Sequence, residues 1–178
     1  MRRKSRNSCE QTRKIATLVR GPRTEKEKGE LGELAFLHKA ASLGFGVAKP
    51  YGDSESYDFI LDSGERLWRV QVKSIYSPSR CGYRFMAWRS NHHPYSSEDI
   101  DFIVGYVVPR KVWYVVPVNH VAASAIVTFY PSGCRKKAGR YECYREAWHL
   151  MAPGADLPPP RKRRRAPAIN PHGKNFVE

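Results

Sequence analysis

Glu33, Asp58, Gln71 and Lys73 are residues of the types that hold a metal ion and a phosphate, and their spacing lets a strand pair gather three of them. Asp58 lies in the apolar run Tyr57-Asp58-Phe59-Ile60-Leu61. Gln71 and Lys73 close a second run, Leu67-Trp68-Arg69-Val70-Gln71-Val72-Lys73. Between the runs, Asp62-Ser63-Gly64-Glu65 is a turn signal. Strands paired across that turn would set Asp58 near Gln71 and Lys73. Side chains alternate along a strand, so Leu67, Arg69, Gln71 and Lys73 share one face. Trp68, Val70 and Val72 take the other, which suits a core.

Hydrolysis of a phosphodiester needs charge stabilisation and an activated water. A hard cation such as Mg2+, or Mn2+ in its place, prefers oxygen ligands and keeps waters beside one or two carboxylates. In such a site Asp58 would bridge one or two ions and Gln71 would lend its amide oxygen. Lys73 would hold the attacking water or stabilise charge building on the phosphate. Glu33 would add a carboxylate from a neighbouring helix. Each segment alone has a plainer reading: an Asp at a strand end is commonly a hydrogen-bonded turn residue, and alternating Arg69, Gln71 and Lys73 commonly form a solvated face. Both segments in this order, behind a helix carrying Glu33, outweigh that reading.

The elements that must position these residues are legible nearby. Thr24-Glu25-Lys26-Glu27 has the capping-box pattern and predicts a helix running to about residue 43, stopped by Gly44. Leu31, Leu34, Ala35, His38 and Ser42 recur at helical spacing and predict its buried stripe, widened by Phe36, Leu37 and Ala41. Glu33 lies on a flanking face. Residues 45–49 read as a first strand, and the two site-bearing strands follow.

With these residues in view, the chain resembles the PD-(D/E)XK nuclease superfamily, and most of all the homing endonucleases encoded in bacterial group I introns. The matching stretches are Lys28-Gly29-Glu30-Leu31-Gly32-Glu33-Leu34-Ala35, the segment from Gly44 to Asp53, Tyr57-Asp58, and Arg69-Val70-Gln71-Val72-Lys73. The superfamily usually places Asp or Glu two residues before the lysine; Gln71 stands there, as in the intron-encoded branch. Tyr57 replaces the usual proline. The resemblance implies an α/β fold with a restriction-endonuclease-like core, a mixed central sheet flanked by helices. It implies Glu33, Asp58, Gln71 and Lys73 as catalytic residues, with Asp58, Gln71 and Glu33 facing the metal. It further implies Mg2+ or Mn2+ dependence and cleavage of double-stranded DNA.

Charge distribution supports a polyanionic partner. The net charge is +14. Residues 1–24 hold eight Lys/Arg against one acid and residues 151–178 hold six against two, which leaves 25–150 with an excess of only three. Three parts are therefore expected: a basic flexible arm (1–24), a nuclease domain (25–150) and a Pro-rich basic tail (151–178). Basic arms bind nucleic acid in a salt-dependent way. The cluster at 161–165 also has the composition of a nuclear-localisation signal; beside the resemblance, a DNA-contacting tail containing Arg161 and Arg163 is the better reading.

Residues 76–97 form a long polar connection in which Arg80, Arg84 and Arg89 alternate with Tyr83, Trp88 and Tyr95. Such a loop suits contact with phosphates and bases, or forms a surface hairpin at 83–88, and the two are compatible. Arg135, Lys136 and Lys137 mark a second candidate phosphate-contacting loop, and Lys49 and Arg69 are further candidate DNA contacts. Residues 100–108 and 112–116 predict a strand pair, 118–125 a short helix, 126–130 a strand and 144–150 a closing helix with Trp148 in the core. Asp99 and Asp101 read as loop caps more readily than as groups tuning a metal.

No stretch approaches a membrane span or a signal peptide, so a cytoplasmic protein associated with a bacterial nucleoid is expected. Cys9, Cys81, Cys134 and Cys143 are scattered; Cys134, Cys143 and His149, with His92 or His93, form at best a weak zinc pattern, and free thiols fit better. The expected function is a metal-dependent, sequence-specific endonuclease acting as a homo-oligomer, a dimer or tetramer. A Holliday-junction-type nuclease and a catalytically inactive DNA-binding module are the alternatives. A general RNA-binding role is more distant, because the aromatic RNP-type motif is absent.

Overall fold

The structure is a computed structural model that describes residues 24–156, except 53, 80–81, 90–92, 122–125 and 134–138. Residues 1–23 and 157–178 of the two basic arms, with Arg161 and Arg163, lie outside the described residues, as do Arg80, Arg135, Lys136 and Lys137 and, from the weak zinc pattern, Cys134 and His92.

Helix α1 (Glu25–Ser42) starts where the capping box places it. The Glu27 amide donates to the Thr24 hydroxyl at 3.1 Å, and the Glu27 carboxylate accepts from the Thr24 amide at 2.9 Å. Two donors that the helix start leaves without partners are thus satisfied. Gly44, at φ +90°, supplies the left-handed residue after the last turn.

The buried side of α1 differs from the expected stripe. Gly32, Phe36 and Ala40 face the core, whereas Leu31, Leu34 and Leu37 are exposed. Small residues are what the contact requires. A Cβ on Gly32 would lie 2.5 Å from the Ser74 Cβ, so the helix can sit this close to its strand only with glycine there. Apolar residues occur around most of the helix, and the close approach selects the face.

Five strands form the main sheet in the order β1-β2-β3-β5-β6: β1 (Gly46–Ala48), β2 (Phe59–Asp62), β3 (Leu67–Ile75), β5 (Phe102–Val107) and β6 (Val112–Pro117). All neighbours are antiparallel except β3 and β5, which run parallel. The sheet is therefore mixed, as expected. A parallel pair needs a crossover, and residues 76–101 supply it. Within that crossover, β4 (Tyr83–Met86) pairs antiparallel with β7 (Ile126–Phe129) in a separate two-stranded sheet. The expected hairpin at 83–88 is thus one strand with a distant partner.

Each face of the sheet has its own core. Phe36 and Ala40 cover Phe59, Leu61, Trp68, Val70, Val72, Phe102 and Val104, with Trp113 and Trp148 closing the end. The opposite face packs Ile75, Ile103, Val107, Tyr114 and Val116 against Val127 and Phe129. There Gly105 leaves room for the Phe129 ring, which stacks on Tyr114 with centroids 4.0 Å apart.

Of the helix expected at 118–125 only the start is described, and Val118–His120 is a 3-10 turn there. The closing segment is two 3-10 turns, Glu142–Tyr144 and Trp148–Met151. Glu146 between them has φ +49°, which no continuous right-handed helix allows. Its carboxylate instead accepts from the Trp113 amide and the Trp148 indole, both at 2.9 Å. Trp148 is buried as expected. Beyond 150 the chain stays attached: Trp68 Nε1 donates to the Met151 carbonyl, and the Gly154 amide to Glu65.

Candidate active site

The β2–β3 register pairs Phe59 with Val70, which sets Asp58, one residue earlier, beside Gln71. The Asp58 amide extends the ladder by donating to the Val70 carbonyl at 2.9 Å. Its carboxylate is held on one oxygen: Oδ2 accepts from Gln71 Nε2 at 2.6 Å and from the Val72 amide at 2.8 Å. Oδ1 receives no hydrogen bond from the described residues.

Gln71 is buried within β3, and both ends of its amide are engaged. Nε2 faces Asp58, and Oε1 accepts from the Tyr95 hydroxyl at 3.2 Å. The amide oxygen expected to face a metal therefore points to Tyr95. Lys73, two residues on, shares this face, with its ammonium 5.9 Å from the centre of the Tyr95 ring. It forms no ion pair or hydrogen bond with the described residues, so its three donors are open to a ligand.

Glu33 arrives from α1, which Gly32 holds against β3. Ser74 Oγ and the Tyr76 hydroxyl reinforce the contact by donating to the Lys28 carbonyl at 3.0 and 3.2 Å. Glu33 Oε2 accepts from Lys49 Nζ at 2.7 Å. The sheet thus presents Asp58, Gln71 and Lys73, and the helix adds Glu33.

Burial governs the electrostatics. It raises the Asp58 pKa above the ordinary aspartate value, and the Glu33 charge adds to the rise. The Val72 amide, Lys73 and Gln71 act against it. Burial also lowers the Lys73 pKa, against the pull of Asp58 and Glu33. The Tyr95 hydroxyl is pushed up to about 12, chiefly by burial and then by Asp58 and Asp99, so it stays protonated as a donor at neutral pH. A half-buried carboxylate and a half-buried ammonium with perturbed affinities in opposite senses are a pattern of functional sites.

The donor set suits a hard cation. Among the described residues no three His, Cys, Asp or Glu side chains converge, so no closed cage exists. One bare carboxylate oxygen, a nearby second carboxylate and an amide leave room for retained waters, the arrangement Mg2+ favours.

The predicted DNA contacts separate by environment. Arg84 projects to solvent from β4. Lys49 pairs with Glu33. Arg69 binds Asp101 through its amide, Nε and Nη2, and donates to the carbonyls of Ser97 and Glu98. Arg89 pairs with Asp99 at 2.5 Å. Asp99 also accepts from the Ser96 amide and hydroxyl, so both aspartates fasten the crossover, as loop caps do. Tyr95 is the neighbour that sequence reasoning placed elsewhere, among the loop aromatics suited to nucleic acid. It is 24 residues from Gln71, and no local signal connects them.

Comparison with known proteins agrees with this fold. The PD-(D/E)XK endonuclease family matches residues 23–151. No curated protein sequence matches the chain. Among solved structures it is similar to a bacterial homing endonuclease, I-Ssp6803I, at 33% identity and a TM-score of 0.63, over 72% of this chain and 91% of that one. The matched region contains the whole described sheet, α1 and all four candidate catalytic residues. The chain belongs to the PD-(D/E)XK endonuclease family.

Proposed function

We propose that this nuclease is a metal-dependent, sequence-specific endonuclease of the homing type that hydrolyses phosphodiester bonds in double-stranded DNA. The observation carrying the reading is Asp58, hydrogen-bonded on one oxygen and bare on the other, beside a half-buried lysine whose donors are open. Asp58 and Glu33 would hold Mg2+ or Mn2+, with Gln71 as the neutral third group. A bound cation would supply positive charge to the phosphate oxygens and acidify the attacking water. Lys73, fixed by β3 and partly desolvated, orients that water or stabilises the developing phosphate charge, and acts more strongly there than in bulk solvent. Gln71 holds Asp58 in place without adding a second negative charge at 2.6 Å.

One such site cuts one strand, so a double-strand break calls for a dimer or tetramer, which would read a roughly symmetric target. The basic arms would add sequence-independent affinity.

The test is nicking and linearisation of a plasmid carrying an intronless copy of the gene that hosts the coding intron, beside a plasmid lacking it, with and without Mg2+. Metal-dependent cutting of the first plasmid alone, lost in Lys73→Ala, is the expected result. Cutting of four-way junctions in place of linear DNA would favour a resolvase. Binding with no cutting of either substrate would favour an inactive DNA-binding module.

A further inference from the structure

We infer that Tyr95 is a positioning residue of the site, and that its hydroxyl is the partner that lets the Gln71 amide take either of two orientations, one holding Asp58 and one turning its oxygen to a cation. The role rests on the reading of Asp58 and Gln71 as cation-facing groups, and three observations carry it. First, an ionised carboxylate only accepts hydrogen bonds. Asp58 therefore holds Nε2 of Gln71 toward itself, at 2.6 Å, and forces Oε1 the other way. Second, the group that meets Oε1 is the Tyr95 hydroxyl, 3.2 Å away. Third, Tyr95 is not a loose loop residue. Its amide donates to the Ala87 carbonyl, the neighbouring Trp88 and Pro94 form a bridge, and the turn after it is tied by Asp99 to Ser96 and Arg89.

A hydroxyl both donates and accepts. With the amide as observed, Tyr95 donates to Oε1. With the amide turned over, Oε1 joins Asp58 in facing a cation and Nε2 needs an acceptor, which the Tyr95 oxygen provides. Phenylalanine serves neither orientation, yet keeps the ring near Lys73. Glutamine in place of the family's acidic residue thus carries a requirement that a carboxylate would not: a partner able to reverse its hydrogen-bonding role. Tyr95 meets it from the crossover between β3 and β5.

The test uses the full chain and four proteins: wild type, Tyr95→Phe, Gln71→Ala and the double variant. Mn2+ affinity is measured by calorimetry, and the Gln71 side-chain amide is followed by NMR in isotope-labelled, metal-free protein. Tyr95→Phe should weaken Mn2+ binding about fivefold, the worth of one hydrogen bond. In the Gln71→Ala background the same change should have no effect, because the coupling runs through the amide. Equal losses in both backgrounds, or none in the wild-type background, would overturn the switching role. Without metal, the Gln71 amide signals should move toward those of free glutamine in Tyr95→Phe; unmoved signals would overturn the positioning role. Failure of the wild type to bind Mn2+ would sink the metal-site reading and the switch together, and the metal-free spectra would still decide the positioning.

Discussion

Asp58 and Lys73 are both half-buried, and the loss of solvent acts on them in opposite directions. In metal-free protein the Asp58 carboxyl should therefore titrate above the ordinary aspartate range, about 4. An NMR titration of that carboxyl without metal measures it; titration at the ordinary value would contradict the burial effect. The same shift predicts stability. A carboxylate with a raised folded pKa binds more protons folded than unfolded between its two pKa values, so stability falls as pH rises through that window. Asp58→Asn removes this penalty and should melt at a higher temperature than wild type above the window, with no difference below it. Thermal melts at two pH values check this. Cutting should be lost in that variant and in Lys73→Ala, by on the order of a hundredfold or more, with DNA binding kept. Asp58→Ala should lose more metal affinity than Gln71→Ala, since only the former removes a charge.

At the scale of the element, α1 and β3 form the frame that brings Glu33 to the sheet. The helix has two interior glycines in contrasting surroundings. A Cβ on Gly29 would meet nothing within 4 Å, whereas one on Gly32 would meet Ser74 at 2.5 Å. Alanine is the better helix former, so Gly29→Ala should stabilise by about 0.5–1 kcal/mol. Gly32→Ala should instead destabilise by about 1–3 kcal/mol through overpacking. It should also reduce cutting, because the helix must shift away from β3 and take Glu33 with it. Urea denaturation of the two variants gives opposite signs if the contact is right. Two like-signed changes would mean that the helix is not held there. Phe36, buried against Phe59 and Trp148, anchors the same interface. The strands of this frame were legible because their alternation and the turn at 62–65 are local signals. The helix face was not, because apolar residues occur on several sides of α1 and packing against Ser74 chose among them.

For the whole molecule, the described domain is nearly balanced in charge and the excess lies in residues 1–24 and 151–178. Within the domain, Lys49, Arg69 and Arg89 are already paired with carboxylates, so their charges are largely answered locally. DNA affinity should therefore depend on the arms. Deleting residues 1–20 or 160–178 should weaken DNA binding and flatten the dependence of affinity on salt, with each released phosphate contact lowering the log–log slope by roughly one. Binding isotherms at several salt concentrations measure it. An unchanged slope in both deletions would place the binding surface on the domain, with Arg84 of β4 among its exposed cations.

The sequence by itself determined the local features. The capping box started α1 at its observed residue, and the turn after β2 and the alternation along β3 put Asp58, Gln71 and Lys73 on one side of one strand pair. These depend on backbone geometry and neighbours within a few residues, which a linear pattern records. Only the tertiary structure decided which face of α1 is buried, that β4 takes β7 as its partner, and that Arg69 and Arg89 are tied to Asp101 and Asp99. It alone turned the Gln71 amide oxygen toward Tyr95. Each of these is a choice between chemically similar options, made by close packing and hydrogen bonds across tens of residues, and such distances leave no mark in the spacing of the chain.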